Sequence, residues 1–412
     1  MKIKEIHINK RIDYAFIYFL CILSLCLWGM LVMYSASYHE ANLHNLPHYY
    51  FLKQQFKFFV LAIFVSIIVK IIDFKIITFF IYPLMILSLI CMLLTLYSPY
   101  GVSILGAKRW LEIGPIPSFQ PSEIVKVSTI LFIAKYYSKE GRRDYIPLLV
   151  VLVNAALILL QKDYSTTILY LLTSFLLLLV CGCDFKKLFT IGLFLIIPAL
   201  YAILAEPFRI RRIISFIYPT LDPTGINYQI TNSLAAIKSC GFFGVGLGHG
   251  IYKLGRLPEV QNDFIFASLV EESGFFGVII TLTLFYIIFL IGYFTSVKLF
   301  KINKMKSYIC FGVSSSITLQ LILNIMVVTS ILPPTGIPLP FISQGGTNLF
   351  FTVIESSMVY KIIREMQFNE KIKETNLNEL DNKSSGGDEF SIKNISAINI
   401  GTDFTDYLKD KN

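Results

Sequence analysis

Long apolar runs separated by short polar breaks recur along the chain from residue 13 to residue 363. Many of these runs approach the ~20 residues that an α-helix needs to cross a hydrocarbon core of ~30 Å. Measured this way, the pattern predicts ten helical spans, at about 13–36, 55–72, 77–97, 121–138, 146–161, 164–182, 187–205, 263–296, 308–332 and 346–363. The eighth run is too long for one straight crossing, and Gly274 is the expected place for it to bend. The expected fold class is therefore an all-α polytopic membrane protein, with a large extracytoplasmic loop between spans seven and eight. Its expected parts are a cytoplasmic N-terminus (1–12), a ten-span membrane domain (13–364) containing the loop 206–262, and a cytoplasmic tail (365–412) whose polarity predicts disorder.

Composition agrees with the pattern. Of 412 residues, 55% are hydrophobic and only 15% charged, and a mean hydropathy of +0.65 excludes an ordinary soluble globule. The net charge of +9 is unevenly spread. The tail from Glu365 carries six Lys against ten acidic residues, so its −4 leaves +13 on the membrane part. With the N-terminus in the cytoplasm, the turns Lys70–Lys75, Lys135–Arg143, Asp184–Lys187, Lys298–Lys306 and Lys361–Arg364 all fall inside, and each is rich in Lys or Arg. This is the positive-inside pattern, so the basic excess reads as orientation and no nucleic-acid partner is expected. The first run lacks a small-residue cleavage site and reads as a retained span. Seven scattered cysteines imply no disulfide framework, and neither Cys181-Gly182-Cys183 nor His39, His44 and His48 have the spacing of a metal site.

Candidate chemistry sits at the ends of the runs. Asp263 closes a polar stretch and opens an apolar one, and Glu271-Glu272 follow two turns on, about 12 Å further at 1.5 Å per residue. Asp263 suits a helix N-cap, but carboxylates in apolar helices usually face a polar cavity or a partner. Glu123 follows Pro121 at the opening of the fourth span, where it can reach back to free amides, and Lys126 lies on the same face. Lys162-Asp163 form a short turn between spans five and six. Lys108, Arg109, Arg209, Arg211, Arg212, Lys238, Lys253 and Arg256 lie in outer loops, where they suit either an anionic ligand or lipid headgroups. Gln320 and Asn324 are expected to hydrogen-bond between helices. The Pro- and Gly-rich stretch 338–346 must be buried in protein or line a cavity, and Glu355 is a further carboxylate inside the tenth span. The Gly-rich stretch 241–248 lacks the Lys-Ser/Thr of a nucleotide loop and reads as tight turning with close backbone packing.

Taken together, Lys108-Arg109-Trp110-Leu111, Phe119-Gln120-Pro121-Ser122-Glu123, Leu257-Pro258-Glu259 with Asp263-Phe264-Ile265-Phe266-Ala267, and Pro338-Leu339-Pro340-Phe341-Ile342-Ser343 with Gly345-Gly346 resemble the SEDS (shape, elongation, division and sporulation) membrane proteins. Tyr218-Pro219, Asp222-Pro223, Tyr228-Gln229 and Ser233-Leu234 fit the same pattern, and the match runs in order over about residues 13–364. Within FtsW, RodA and SpoVE, the stretch Gly244-Val245-Gly246-Leu247-Gly248 followed by Lys253-Leu254 is most similar to the FtsW branch. The chain departs from the family pattern at Gln261-Asn262, at Lys162 and Tyr164-Ser165, at Gln344, at Thr347-Asn348 and at Cys240, while Asp163, Asp263 and Glu123 are kept.

The resemblance implies a peptidoglycan glycosyltransferase that polymerises lipid II, the undecaprenyl-pyrophosphate-linked disaccharide peptide, at the outer face of the bacterial cytoplasmic membrane. It implies Asp263 as the catalytic base. It implies Lys108, Arg109, Glu123, Lys126, Asp163, Arg211, Arg212, Glu259, Ser343, Gly345 and Gly346 as substrate contacts. A divalent cation, Mg or Mn, bridging the pyrophosphate is compatible with it. The implied partners are a class B penicillin-binding transpeptidase, divisome proteins and membrane lipid, with action at the division septum. A RodA-like elongation polymerase, a lipid II flippase and an inactive membrane scaffold are the alternatives. Concentration of the polar motifs on the outer side favours chemistry there over transport.

Overall fold

A computed structural model describes residues 12–104, 106–114, 117–139, 141, 143–204, 210, 216, 226–257 and 260–384. The elements run α1 (Tyr14–Leu43), α2 (Tyr50–Ile71), α3 (Phe74–Tyr97), β1 (Gly101–Ile104), β2 (Ala107–Leu111), α4 (Pro121–Tyr137), α5 (Tyr145–Leu160), α6 (Tyr164–Val180), α7 (Phe185–Leu204), α8 (Ile226–Ser239), α9 (Ile265–Leu299), α10 (Lys304–Val328) and α11 (Gly346–Ser384). Several helices start where the sequence offers a capping oxygen. Asp13 accepts from the Phe16 amide at 3.1 Å, Asp163 from Thr166 at 3.2 Å and Asn303 from Lys306 at 3.0 Å, each satisfying a free first-turn N–H. Pro121 occupies the first turn of α4, where its missing N–H costs nothing.

Among the described residues five helices, α1, α2, α3, α9 and α10, are long and apolar enough to cross a membrane, and α5 and α6 are shorter apolar helices. The centre of the bundle is α4, buried from Pro121 through Ala134, with α3, α5, α6, α10 and α11 packed around it. Around this centre α2 packs on α11, α9 on α10, and α1 on α9. Because α4 is enclosed by protein, its polar residues Glu123, Lys126, Ser128 and Thr129 are not exposed to lipid.

Three features differ from the sequence reading or refine it. The 98–120 segment, expected as a loop, folds an antiparallel hairpin that pairs Gly101 with Leu111 and Ile104 with Ala107, and puts Lys108-Arg109-Trp110 on β2. Strands of four and five residues are too short to leave a clear alternation. The tail, expected to be disordered from 365, continues α11 as helix to Ser384; residues 385–412 lie outside the described residues. Its first turns are docked: Gln367 accepts from the Ala15 amide, and Lys306 and Lys298 pair with Glu365 and Glu370.

The third feature is the break in α9, which does fall at Gly274 (φ 67°, ψ −166°). A helix broken there leaves the Glu271 and Glu272 carbonyls and the Phe275 and Phe276 amides without intrahelical partners. The Gly-rich loop supplies all four. Val245 and Gly246 donate to the two carbonyls at 3.0 Å, and Phe275 and Phe276 donate to Gly241 and Phe242 at 3.2 and 3.0 Å. A side chain on Gly274 would place its Cβ 2.2 Å from the Gly244 nitrogen, so this exchange requires bare backbone on both sides.

Candidate functional site

The segment between α10 and α11 is the hub of the site. Thr335 carbonyl accepts from Ser165 Oγ at the start of α6. The next carbonyls are held from α10: Asn324 Nδ2 donates to Ile337 at 2.7 Å and Gln320 Nε2 to Pro338 at 2.9 Å. Ser343 Oγ accepts from the Leu339 amide at 2.7 Å and donates to the Asn262 carbonyl at 2.6 Å, while the Gln344 amide donates to Gln261 at 2.9 Å. Gln55 of α2 braces the other side, donating to the Ser343 carbonyl at 3.1 Å and accepting from the Gly345 amide at 3.3 Å. Irregular backbone at the end of a helical bundle is thus satisfied by side chains from three helices, α2, α6 and α10, as the Pro/Gly composition required.

Asp263 lies in this frame. Asn324 Nδ2 also donates to its carbonyl at 2.9 Å, fixing the backbone from which the carboxylate projects. A Cβ placed on Gly336 would stand 3.2 Å from Asp263 Oδ2, so the hub approaches the carboxylate with only a glycine. Asp263 is half-buried, and the N-cap position of α9 falls one residue later, at Phe264.

Two further charge assemblies adjoin the hub. In α4, Lys126 Nζ lies 2.9 Å from Glu123 Oε2, and both side chains are about 6% exposed. Asn348 of α11 donates to the same oxygen at 3.2 Å, and Gln320 donates to Asn348 at 3.3 Å. Glu123 therefore does not turn back to cap its own helix, because a buried carboxylate needs its charge balanced and Lys126 is in reach. Glu355, two turns further along α11, lies within the electrostatic reach of both Lys126 and Glu123. At the start of α6, buried Asp163 accepts from Gln120 Nε2 at 2.7 Å, and Arg109 Nη1 approaches it to 3.8 Å. Arg109 Nη2 donates to the Lys162 carbonyl at 2.7 Å, and the side chain stays 35% exposed.

The other expected contacts divide plainly. Lys108 donates to the Leu96 and Ser98 carbonyls at 3.1 and 2.8 Å, so its ammonium is committed to the end of α3. Gly346 backs onto the Phe58 ring. Arg209, Arg211, Arg212 and Glu259 lie outside the described residues. Gln55 is a site residue that sequence reasoning passed over, and Gln120 and Ser165, named there only within motifs, were given no role in the site. Gln55 had a signal, the second of two adjacent amides at the mouth of an apolar run; Ser165 had only its departure from the family pattern. Several buried polar atoms around the hub have no protein partner, namely Gln261 Oε1, Gln344 Oε1, Thr335 Oγ1 and Arg109 Nε. Buried polar groups are normally satisfied, so a cluster of open ones beside a half-buried carboxylate suits a polar ligand.

Comparison with known proteins bears on the same residues. Residues 15–368 match the family model for the FtsW, RodA and SpoVE cell cycle proteins. The chain is 37% identical over 361 residues to a probable peptidoglycan glycosyltransferase FtsW of Borreliella burgdorferi, covering 85% of this chain and 97% of that one. It is 32% identical over 347 residues to the stage V sporulation protein E of Bacillus subtilis, covering 82% and 94%. Its fold superposes on a chain from a structure described as the structural coordination of polymerization and crosslinking by a peptidoglycan synthase complex, with a TM-score of 0.69, 23% identity and 84% and 96% coverage. The rod shape determining protein RodA of Thermus thermophilus follows with a TM-score of 0.62, 22% identity and the same coverage.

Proposed function

The chain belongs to the FtsW, RodA and SpoVE family of cell cycle proteins, and from that membership we propose that it is a peptidoglycan glycosyltransferase that polymerises lipid II for septal wall synthesis. The observation that carries the proposal is Asp263, a half-buried carboxylate whose backbone is clamped by Asn324 at the mouth of a hub with open polar groups.

A sugar hydroxyl is a weak nucleophile. As its oxygen bonds to the anomeric carbon of the lipid-linked donor, the bond from that carbon to the pyrophosphate oxygen breaks. The hydroxyl proton passes to the Asp263 carboxylate. The departing lipid pyrophosphate carries the developing negative charge, which calls for cations. Arg109 is the described cation best disposed to meet it, being held on Asp163 and the Lys162 carbonyl yet partly exposed. Arg211 and Arg212 are proposed to share this task, and Glu259, Ser343, Gly345 and Gly346 to shape the acceptor side. Ser343 acts chiefly by holding the Asn262 carbonyl. Glu123, Lys126 and Asp163 set the charge of the lining. A divalent cation on the pyrophosphate would rely mainly on phosphate oxygens, because among the described residues no group of three or more His, Cys, Asp or Glu side chains comes together.

The ten-span arrangement, with both termini in the cytoplasm, the 206–262 loop outside and Asp263 at the outer surface, is part of the same proposal. So are a class B penicillin-binding protein and divisome proteins as partners at the septum. The test is polymerisation of labelled lipid II by the purified protein with its cognate penicillin-binding partner, that partner's own activity blocked. Asp263→Asn, with folding confirmed by thermal unfolding, is expected to lower the rate of glycan formation by roughly 10²–10⁴, the usual worth of a general base. Native rates in that variant would remove Asp263 from the chemistry.

A further inference from the structure

The proposed chemistry leaves a third buried charge cluster unused. Lys253, Glu271 and Glu272 are 4%, 1% and 1% exposed, and they meet where the Gly-rich loop enters the break in α9. Lys253 Nζ binds Glu272 Oε1 at 2.5 Å and donates to Ser35 Oγ of α1, which itself donates to Glu272 Oε1 at 2.7 Å. Glu271 Oε1 accepts from the Ile251 and Tyr252 amides at 2.5 and 3.2 Å. Both carboxylates thus grip the loop at residues 251–253, about ten residues before Asp263, from the helix that begins just after it.

The connectivity gives this grip a consequence. Lys253 and Glu272 are 19 residues apart, and Asp263 lies between them. The ion pair therefore closes a ring of covalently continuous chain from Lys253 to Asp263 and back along the first two turns of α9, of which Pro258 and Glu259 lie outside the described residues. Inside the ring Leu257 and Val260 are buried, and the Leu257 amide bonds Tyr252 at 2.9 Å. On one flank Ser35 ties it to α1, and on the other the Gln344 amide and Ser343 Oγ hold Gln261 and Asn262. Buried ion pairs contribute little net stability compared with well-packed apolar residues, so three charges in this position call for a reason other than stability.

We propose that Lys253 is a positioning residue for Asp263, acting through Glu272: the pair closes the ring that fixes where the Asp263 carboxylate stands. The proposal rests on the glycosyltransferase reading for its activity readout, and on the structure alone for its exchange readout. Misplacement of a reacting group by about 1 Å costs on the order of 10²-fold in rate.

The test compares the native protein with Glu272→Gln, which still accepts a hydrogen bond from Lys253, and with the double variant Lys253→Met/Glu272→Leu, which replaces the pair by apolar side chains. Hydrogen–deuterium exchange is followed in peptides covering 257–266, with 304–328 as the internal reference, and kcat and KM for lipid II are measured beside it. Expected is faster exchange at 257–266 only, with kcat falling in the order native, Glu272→Gln, double variant, to about ten- to hundredfold below native, at constant KM. Unchanged exchange at 257–266 in both variants overturns the proposal whatever the activity. Exchange that rises throughout, with kcat and KM worsening together, also overturns it by making the pair a general structural element. If the double variant does not fold, Glu272→Gln decides alone by the same two criteria. If the native protein makes no glycan while the exchange pattern appears as expected, the glycosyltransferase reading fails and the ring stands.

Discussion

The two ends of the helical bundle spend their charges differently. At the Asp263 end, Glu123, Lys126, Asp163, Lys253 and Glu272 are all nearly inaccessible, and each is bound to a polar or charged side chain, on its own helix for Lys126 and on another segment for the rest. At the opposite end the cations Lys187 and Lys298 sit at helix ends with 54% and 25% exposure and pair with Asp144 and Glu370 near solvent. Lys361 is the buried member there, and its ammonium goes to the Ile72 and Val69 carbonyls at the close of α2, a dipole end that favours positive charge. One end thus carries cations suited to orientation, for which a positive sum is enough. The other carries charges whose value depends on geometry, because a buried charge is stable only beside its partner.

That contrast is breakable, and the largest effect is expected at the most enclosed pair. Lys126→Met leaves Glu123 buried with Asn348 as its only described partner, and should cost about 3–5 kcal/mol in thermal unfolding. A loss no bigger than that of a surface charge would mean that water reaches Glu123 and that the two ends are not different in kind. Next is Asn324→Leu, which removes the donors to the Asp263 and Ile337 carbonyls. Each buried carbonyl left unpaired costs about 1–3 kcal/mol, and glycan synthesis should fall further than the melting temperature accounts for, since the hub and Asp263 lose their shared brace. Activity that tracks stability alone would reduce Asn324 to packing. Smallest is Lys298→Ala at the opposite end, expected to change stability by less than about 1 kcal/mol and to leave polymerisation at the native rate. A loss of activity there would show that the far end communicates with the site.

Sequence and structure divide the site along the same line. Asp263, the Glu123–Lys126 pair and the bend at Gly274 were legible because each is a local anomaly, a charge or glycine interrupting an apolar period. The hairpin carrying Arg109 was not, since its strands are too short for their alternation to stand out. The turn of Lys108 toward the end of α3 was equally hidden: a loop lysine looks the same whether it meets a phosphate or a carbonyl. Whether Glu123 caps its own helix or pairs with Lys126 was not decided by the sequence, because two donors, the free first-turn amides and the Lys126 ammonium, compete for one carboxylate, and the winner depends on how far the pair is buried.

What the sequence determined by itself is the helical architecture and its membrane character, because hydrophobic periodicity acts within a few residues and the cost of exposing apolar surface leaves little choice. What only the tertiary structure decided is which polar groups meet. Gln55 and Ser343 are 288 residues apart, Glu123 and Asn348 225, and Ser35 and Glu272 237. No local period encodes such pairings. They are fixed when helices pack, since each buried donor or acceptor must then take the partner that packing brings within reach.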